Sequence, residues 1–316
     1  MDSQYFASTF QQLRKDAHMT QKEIAEKLGV TPTAVSKWER GLSYPDITLL
    51  PRLAVMLDYD IESLLRGAMR YNAERWIGVL DISRIRLDRF DLLTKFMFDK
   101  PLVHFLIGYF LLAGIKEVVI LYNMNVAVAL DELQKCLMPL EKGGVRFRYI
   151  TDIDTSVISA KHLMVLYESC FIYGVDLTRH FQRIMTEERG ITLCFSKSKY
   201  GYTKPVNLTI DSTDGVVRTS DNKRDFFHTL PFLFIHKDLA FELLDDNKTF
   251  DYDSVLCETR QVYGEVFPRG MIIRRVSTLA ELVDVAAFVR DVERYQGEKI
   301  CDIEEIMNSR KLRKLD

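Results

Sequence analysis

The sequence carries almost no net charge: 43 lysines and arginines meet 45 aspartates and glutamates, leaving −2 at neutral pH. No overall field of one sign draws a polyanion to this chain, so any such contact must come from local placement of charge. Paired cysteines are missing as well. Cys136, Cys170, Cys194, Cys257 and Cys301 stand far apart, with no CxxC spacing and no histidine cluster beside them. That excludes a zinc-ligand pattern and a disulfide framework, and it suits a reducing compartment. Long apolar runs are absent too. The most apolar windows, Leu102 to Ala113 and Glu117 to Leu121, are too short to span a bilayer. The opening MDSQYFASTFQQLRKD lacks the basic-then-apolar build of a signal peptide. A cytoplasmic chain with no membrane partner is the expectation. With 47% hydrophobic residues in a chain of 316, there is material for a sizeable core, divided between one larger domain and a smaller one.

What is present begins with a run of short helices. Phe6, Phe10 and Leu13 recur at helical spacing, predicting a helix to about Ala17. Thr20 with Glu23 forms a capping box for TQKEIAEKL, Ile24, Ala25 and Leu28 make one apolar stripe, and Gly29 supplies the left-handed residue that ends it. Thr31 caps again, and Pro32 suits the first helical position. In the helix that follows, Ala34, Val35 and Trp38 face the core. Asp46 is predicted to cap a fourth helix through Leu57, and Ile61, Leu64 and Leu65 suggest a fifth. Two helices joined by a short turn centred on a glycine make a helix-turn-helix.

The stretch MTQKEIAEKLGVTPTAVSKWERGLSYPDITLLPRLAVML resembles the Cro/C1 type of helix-turn-helix, the lambda-repressor-like DNA-binding fold, over roughly residues 5–66. The resemblance implies base reading by Thr33, Ser36 and Lys37. It places Gln21, Thr31 and Arg40 at DNA phosphates, which position the protein without specifying sequence. The bland alternative is a solvated polar face, and the slight acidic excess in this segment weakens the electrostatic case. Because one recognition helix reads few base pairs, a homodimer on two half-sites of double-stranded DNA is expected.

Beyond a short polar linker, residues 68–75, the texture changes. RWIGVLDI reads as a strand, PLVHFLIGYFLLAG as a helix, KEVVILY as a buried parallel strand, Val126 to Leu137 as a helix and GVRFRYI as a strand. HLMVLYES, GITLCFS and TLPFLFI add strands, DLTRHFQRIMTEER a helix, and VNLTIDSTDGVVRTS a hairpin around Asp214 and Gly215. Alternation at this spacing predicts an α/β sheet with crossovers.

DKPLVHFLIGYFLLAGIKEVVIL and YGEVFPRGMIIRRVSTLAELVDV resemble the sugar-phosphate nucleotidyltransferases, over about residues 76–290. The expected fold is therefore multidomain: a small all-α, five-helix domain (1–67), then an α/β, GT-A/Rossmann-like domain of the nucleotide-diphospho-sugar transferase type, then a charged helical tail (291–316). Three departures from that family matter. Its members follow strand 1 with a glycine-rich loop whose N–H groups cradle phosphates; here DISRIRLDRFDLL has no glycine. The loop lysine is out of register, Lys95 being nearest, while Lys100-Pro101 begins the next helix. The two positions that the resemblance assigns to metal-binding aspartates hold Ser169, with Glu168 beside it, and Arg275.

Loss of both carboxylates predicts a domain without metal, cofactor or catalytic residues, since Mg²⁺ in nucleotide enzymes is held by carboxylates and phosphates. Glu168 is either a polar strand end or a residual ligand. Arg84, Arg86 and Arg89 are either a solvated face or a phosphate-binding cluster that works without metal. Cys170 and Cys194 read as buried strand residues. The stripe Ile300, Ile303, Ile306 and Met307 either docks on the body or joins a dimer contact, and RKLRK is a solvated tail. The function expected is a dimeric, DNA-binding transcriptional regulator that represses. Its second domain is an inactive nucleotidyltransferase-like body open to a nucleotide or nucleotide-sugar effector. The rival expectation is a working nucleotidyltransferase carrying a regulatory DNA-binding domain.

Overall fold

The computed structural model describes residues 3–57 except 18, and residues 75–306 except 154–157, 159, 175, 198–205, 212–214, 220–225, 245–249, 251–252, 257–260, 269, 298 and 304–305. The expected fifth helix, most of the linker, Asp214, Cys257, Met307 and the basic tail lie outside the described residues. The chain divides into two compact units, Met1–Tyr71 and Asn72–Asp316.

In the first unit α1 (Ser3–Asp16), α2 (Gln21–Leu28), α3 (Pro32–Glu39) and α4 (Leu50–Met56) enclose one core. Phe6, Phe10, Leu13, Ile24, Ala25, Leu28, Val35, Trp38, Leu53 and Leu57 are all buried in it. The caps behave as the residue types dictate. Thr20 and Glu23 close a capping box at the start of α2, and Gly29 ends it with φ at +72°. Thr31 accepts from the Ala34 amide at 3.2 Å to open α3. The fourth helix differs from expectation. Asp46 caps a 3₁₀ turn, Ile47–Leu49, and the α-helix proper starts only at Leu50. Pro51 explains the shift: it has no N–H to donate back to residue 47, so the first α-helical turn cannot form there.

The second unit is built on a nine-stranded mixed sheet. At its centre β1 (Trp76–Asp81) pairs in parallel with β4 (Glu117–Leu121) on one edge and with β6 (His162–Leu166) on the other, and β4 pairs in parallel with β5 (Arg146–Ile150). Between β1 and β4 lie a small hairpin, β2 (Phe96–Met97) with β3 (Lys100–Pro101), and helix α5 (Leu102–Leu112). Helix α5 is apolar except for half-buried His104 and is buried along most of its length, the pattern of a helix enclosed by its own domain. The α/β crossover expected at Val126–Leu137 is present, but it opens as a 3₁₀ helix (Met124–Ala129) before α6 (Leu130–Lys142).

On the far side of β6 the strands run differently. β11 (Phe226–His236) is antiparallel to both β6 and β8 (Ile191–Ser196). Its ladder to β8 shifts register between Thr229 and Leu233, around Pro231, which has no N–H for a ladder bond. The first residues of β11 turn to β9 (Val206–Ile210), which forms the expected antiparallel pair with β10 (Val217–Thr219). β12 (Tyr263–Phe267) lies parallel to β8, and Val216 bridges to Tyr263. The path β12–β8–β11–β9–β10 thereby closes on itself. Gly264 admits the filling side chains: a Cβ there would lie 2.7 Å from Ile210 Cδ1.

Two further helices cover the sheet, α7 (Leu177–Glu187) and the short α8 (Lys237–Phe241). A two-stranded ladder, β7 (Cys170–Tyr173) with β13 (Ile272–Arg275), leads into α9 (Leu279–Gln296). This helix runs unbroken through residue 290, where the sequence reading set a domain edge. Val289 is as deeply buried as Val285, so the apolar face that seats the helix continues to that point. Ile300 and Ile303 are buried on the body of the unit, and Cys301 seats against Gly108 of α5, where a Cβ would fall 2.0 Å from its Sγ. No helix among the described residues is long and apolar enough to cross a membrane.

Close approach of α5 to β1 depends on Gly78, where an added Cβ would lie 2.7 Å from the fully buried Phe110 ring. Gly78→Ala is expected to lower the stability of this unit by about 1–3 kcal/mol through overpacking, measured by urea unfolding followed through Trp76 fluorescence.

Candidate DNA-contact face and switch-point crevice

On α3 the buried positions Val35 and Trp38 set one face to the core, and the helical period puts Thr33, Ser36, Lys37 and Arg40 on the other. Thr33, Lys37 and Arg40 are exposed and Ser36 is half-buried. The phosphate positions expected from the sequence are placed less uniformly. The Thr31 hydroxyl accepts the Ala34 cap bond, and Gln21, at the first turn of α2, is turned inward to donate to Glu39 Oε2 at 2.8 Å.

Glu39 is the residue that sequence reasoning missed. Its side chain is 2% exposed and receives Arg14 Nε at 2.5 Å, while Arg14 Nη1 also donates to the Met19 carbonyl at 2.6 Å. The carboxylate thus ties α1, α2 and α3 together directly behind the exposed face. Burial opposes its ionisation. Hydrogen bonds from Arg14 and Gln21, with the Arg14 charge, outweigh that cost and hold the carboxyl below its ordinary value. A glutamate near the end of a helix gives no sequence signal of burial; only the apolar residues around it in three dimensions do.

In the second unit the sheet topology itself marks a crevice. From β1 the chain winds outward through β4 and β5, then returns to β6 on the opposite edge of β1. The loops that follow β1 and β6 therefore diverge, which is where open α/β sheets bind ligands. After β1 the loop folds back on its own strand. Buried Asp81 accepts from the Ser83 amide at 2.9 Å and from its hydroxyl at 2.6 Å, the Ile85 amide reaches the Ile82 carbonyl at 3.1 Å, and Asn123 donates to the Ser83 carbonyl. Both of those amides are engaged within the protein, so the loop does not present them to a phosphate.

The three arginines of this loop do not share one partner. Arg84 donates to the Phe250 carbonyl, and Arg86 pairs with Asp88 at 3.1 Å. Arg89 is exposed, and its side chain makes no hydrogen bond or ion pair among the described residues. Lys95 pairs with Asp91 at 2.9 Å. Lys100 is largely buried beside Asp99 and lies 5.0 Å from the Phe105 ring centroid.

Across the crevice, the positions compared with metal-binding aspartates do come together. Arg275 pairs in register with Cys170, and the Val276 amide donates to the Ser169 carbonyl at 3.1 Å. Arg275 Nε lies 3.9 Å from Glu168 Oε2. Mg²⁺ requires oxygen ligands, and a guanidinium offers only N–H donors and a positive charge. The residues present do not fit a two-carboxylate metal site. Among the described residues no group of three His, Cys, Asp or Glu is placed to hold an ion. Cys170 and Cys194 are fully buried, and burial pushes both thiols well above their usual range, which leaves them protonated and unreactive.

Residues 10–64 match the helix-turn-helix family HTH_3. Over 62 residues the chain is 40% identical to the HTH-type transcriptional activator BcrR of Enterococcus faecalis, a match that covers 20% of this chain and 30% of that protein. It therefore spans under a third of that regulator's length. Over 237 residues it is 24% identical to a glucose-1-phosphate thymidylyltransferase of Mycobacterium tuberculosis, covering 66% of this chain and 78% of that one. A putative glucose-1-phosphate thymidylyltransferase from Bacillus anthracis, solved with sucrose, superimposes with a TM-score of 0.51 at 9% identity, over 68% of this chain and 96% of that one. The chain joins a helix-turn-helix DNA-binding domain of the Cro/C1 type to a domain with the nucleotidyltransferase fold.

Glu39 titration should be visible in the stability of the first unit. Its lowered folded-state value means that its contribution is complete above the unfolded-state value near ~4.3 and is lost as pH falls through the folded one. Replacement by alanine leaves Arg14 partly buried and unpaired, and is expected to cost about 3–5 kcal/mol. Unfolding at pH 7 and pH 3 measures both: Glu39→Gln should flatten the pH response relative to the wild type.

Proposed function

We propose that this protein is a transcriptional regulator that binds a two-half-site operator as a homodimer, represses by occupying it, and uses a catalytically inert nucleotidyltransferase-like domain as its dimerising and sensing body. The observation that carries the reading is the pairing of Arg275 with Glu168 at 3.9 Å. With a guanidinium where transfer chemistry needs a second carboxylate, the domain lacks the means to hold a catalytic Mg²⁺. The exposed face of α3 supports the other half of the reading, because it is polar, carries Lys37 and Arg40, and is braced from behind by Glu39.

Thr33, Ser36 and Lys37 are the base-reading residues in this account. Arg40, Thr31 and Gln21 position the phosphates, and the hydrogen bond to Glu39 fixes Gln21 in place. The crevice at the ends of β1 and β6 takes a nucleotide or nucleotide-sugar, which changes DNA affinity only by its differential affinity for the dimer's two arrangements. Arg84 bonds the Phe250 carbonyl and Arg86 pairs with Asp88 in the same loop, which leaves Arg89 the most available cation of the β1 loop.

Selection of genomic fragments by the full chain should recover sites with two half-sites spaced by about one helical turn. On such a site Lys37→Ala should cost about 1–3 kcal/mol and relax specificity at one position, whereas Arg40→Ala should weaken binding evenly and reduce the salt slope by about one. Sedimentation of the complex counts the protomers. Release of pyrophosphate from a nucleoside triphosphate and a sugar phosphate, dependent on Mg²⁺, would sink the inert-domain reading.

A further inference from the structure

The crevice of the second unit carries a cation of its own. Arg275 ends β13, and its backbone is fixed by pairing with Cys170 and by the adjacent bond from the Val276 amide to the Ser169 carbonyl. Its side chain is 48% exposed, and that of its partner Glu168 is 36% exposed. At 3.9 Å the two are too far apart for a good hydrogen bond, and a solvent-washed pair of this kind contributes little to stability. A better acceptor can therefore draw the guanidinium away at small cost. Phosphate oxygens are such acceptors, because the planar fork of N–H donors matches them two at a time.

We propose that Arg275 serves this crevice as a built-in substitute for a divalent cation. The diphosphate group of a nucleotide or nucleotide-sugar binds it without metal, and in doing so displaces Glu168 from the guanidinium. Glu168 is then a competitor of the ligand rather than a metal ligand. This inference rests on the reading of the crevice as a nucleotide-sensing site, and it adds the charge that is recognised and the group that is displaced. The fold supplies the position and the substitution supplies the sign: where a carboxylate pair would need Mg²⁺ to accept a diphosphate, a guanidinium accepts it directly.

The test uses inorganic pyrophosphate, titrated calorimetrically into the full chain in EDTA and again in Mg²⁺. Wild type should bind in EDTA, and added Mg²⁺ should not tighten binding, since it only complexes the free anion. Arg275→Gln should weaken binding in EDTA about ten- to a hundredfold, as loss of a charge-assisted contact implies. Glu168→Gln should tighten it up to about fivefold, as removal of a weak competing pair implies. The last change is diagnostic, because a gain in affinity cannot arise from misfolding, and a metal-ligand role for Glu168 predicts the opposite sign. Binding by wild type only in Mg²⁺, with loss in Glu168→Gln, would overturn the inference and leave the crevice reading standing. So would binding in EDTA that Arg275→Gln leaves unchanged. Absence of binding in both media would remove the inference and the sensing role together.

Discussion

The parallel pairing of β1 with a neighbour on each edge is the constraint on which the second unit depends. A strand buried on both faces and hydrogen-bonded on both sides has no freedom of register. Gly78↔Val118 and Gly78↔Met164 lock the same residue from two directions. With that strand fixed, α5 can come close only because Gly78 has no side chain to meet Phe110. The loops leaving β1 and β6 must then part at their carboxyl ends. The place where a ligand can enter is thus a consequence of strand order, and it exists whether or not the residues lining it perform chemistry. In this chain the β1 loop is clasped by Asp81, and a positive charge stands at the β13 edge.

The first unit rests on a different device. Its helices are too short to be stable alone, and the apolar core holds them only as a bundle. Glu39 then links three of them with directional bonds to Arg14 and Gln21. An ion pair buried this deeply contributes little net stability compared with apolar packing, but removing one partner is costly. What it supplies is orientation: the outer face of α3 is held rigidly with respect to the start of α2.

Much of this was legible in the sequence, for identifiable reasons. Caps are local, so Thr20 with Glu23, Thr31 with Pro32, and Gly29 announced the helix ends that the structure has. The apolar runs of β1, β4 and β6 and the largely apolar α5 were legible because burial on most sides leaves few polar residues in them. Other features depend on residues distant in sequence. Nothing in DISRIRLDRF says that Arg84 reaches the carbonyl of Phe250. The 3₁₀ turn before α4 is encoded by Pro51, five residues beyond the Asp46 cap that marks the start of the segment. The edge set at residue 290 followed a rise in charge, yet α9 continues because its inward positions stay apolar while its outer face becomes charged. The positions of Ser169 and Arg275 came from a resemblance, and their closeness in space rests on the β7–β13 ladder, which no local pattern encodes.

The closed path of strands has a consequence for how the molecule behaves among copies of itself. A sheet normally ends in two rows of unpaired amides and carbonyls, each able to accept a strand from a neighbouring chain. Here the path β12–β8–β11–β9–β10 returns to its start, so at that end the large sheet offers few open positions among the described residues. The remaining border is β5. It carries Arg146 and Arg148, both paired with Glu117 on β4, at 3.2 and 2.6 Å. A strand approaching that border would have to desolvate the exposed guanidinium of Arg146. Among the described residues, edge pairing is thereby discouraged at both ends of the large sheet.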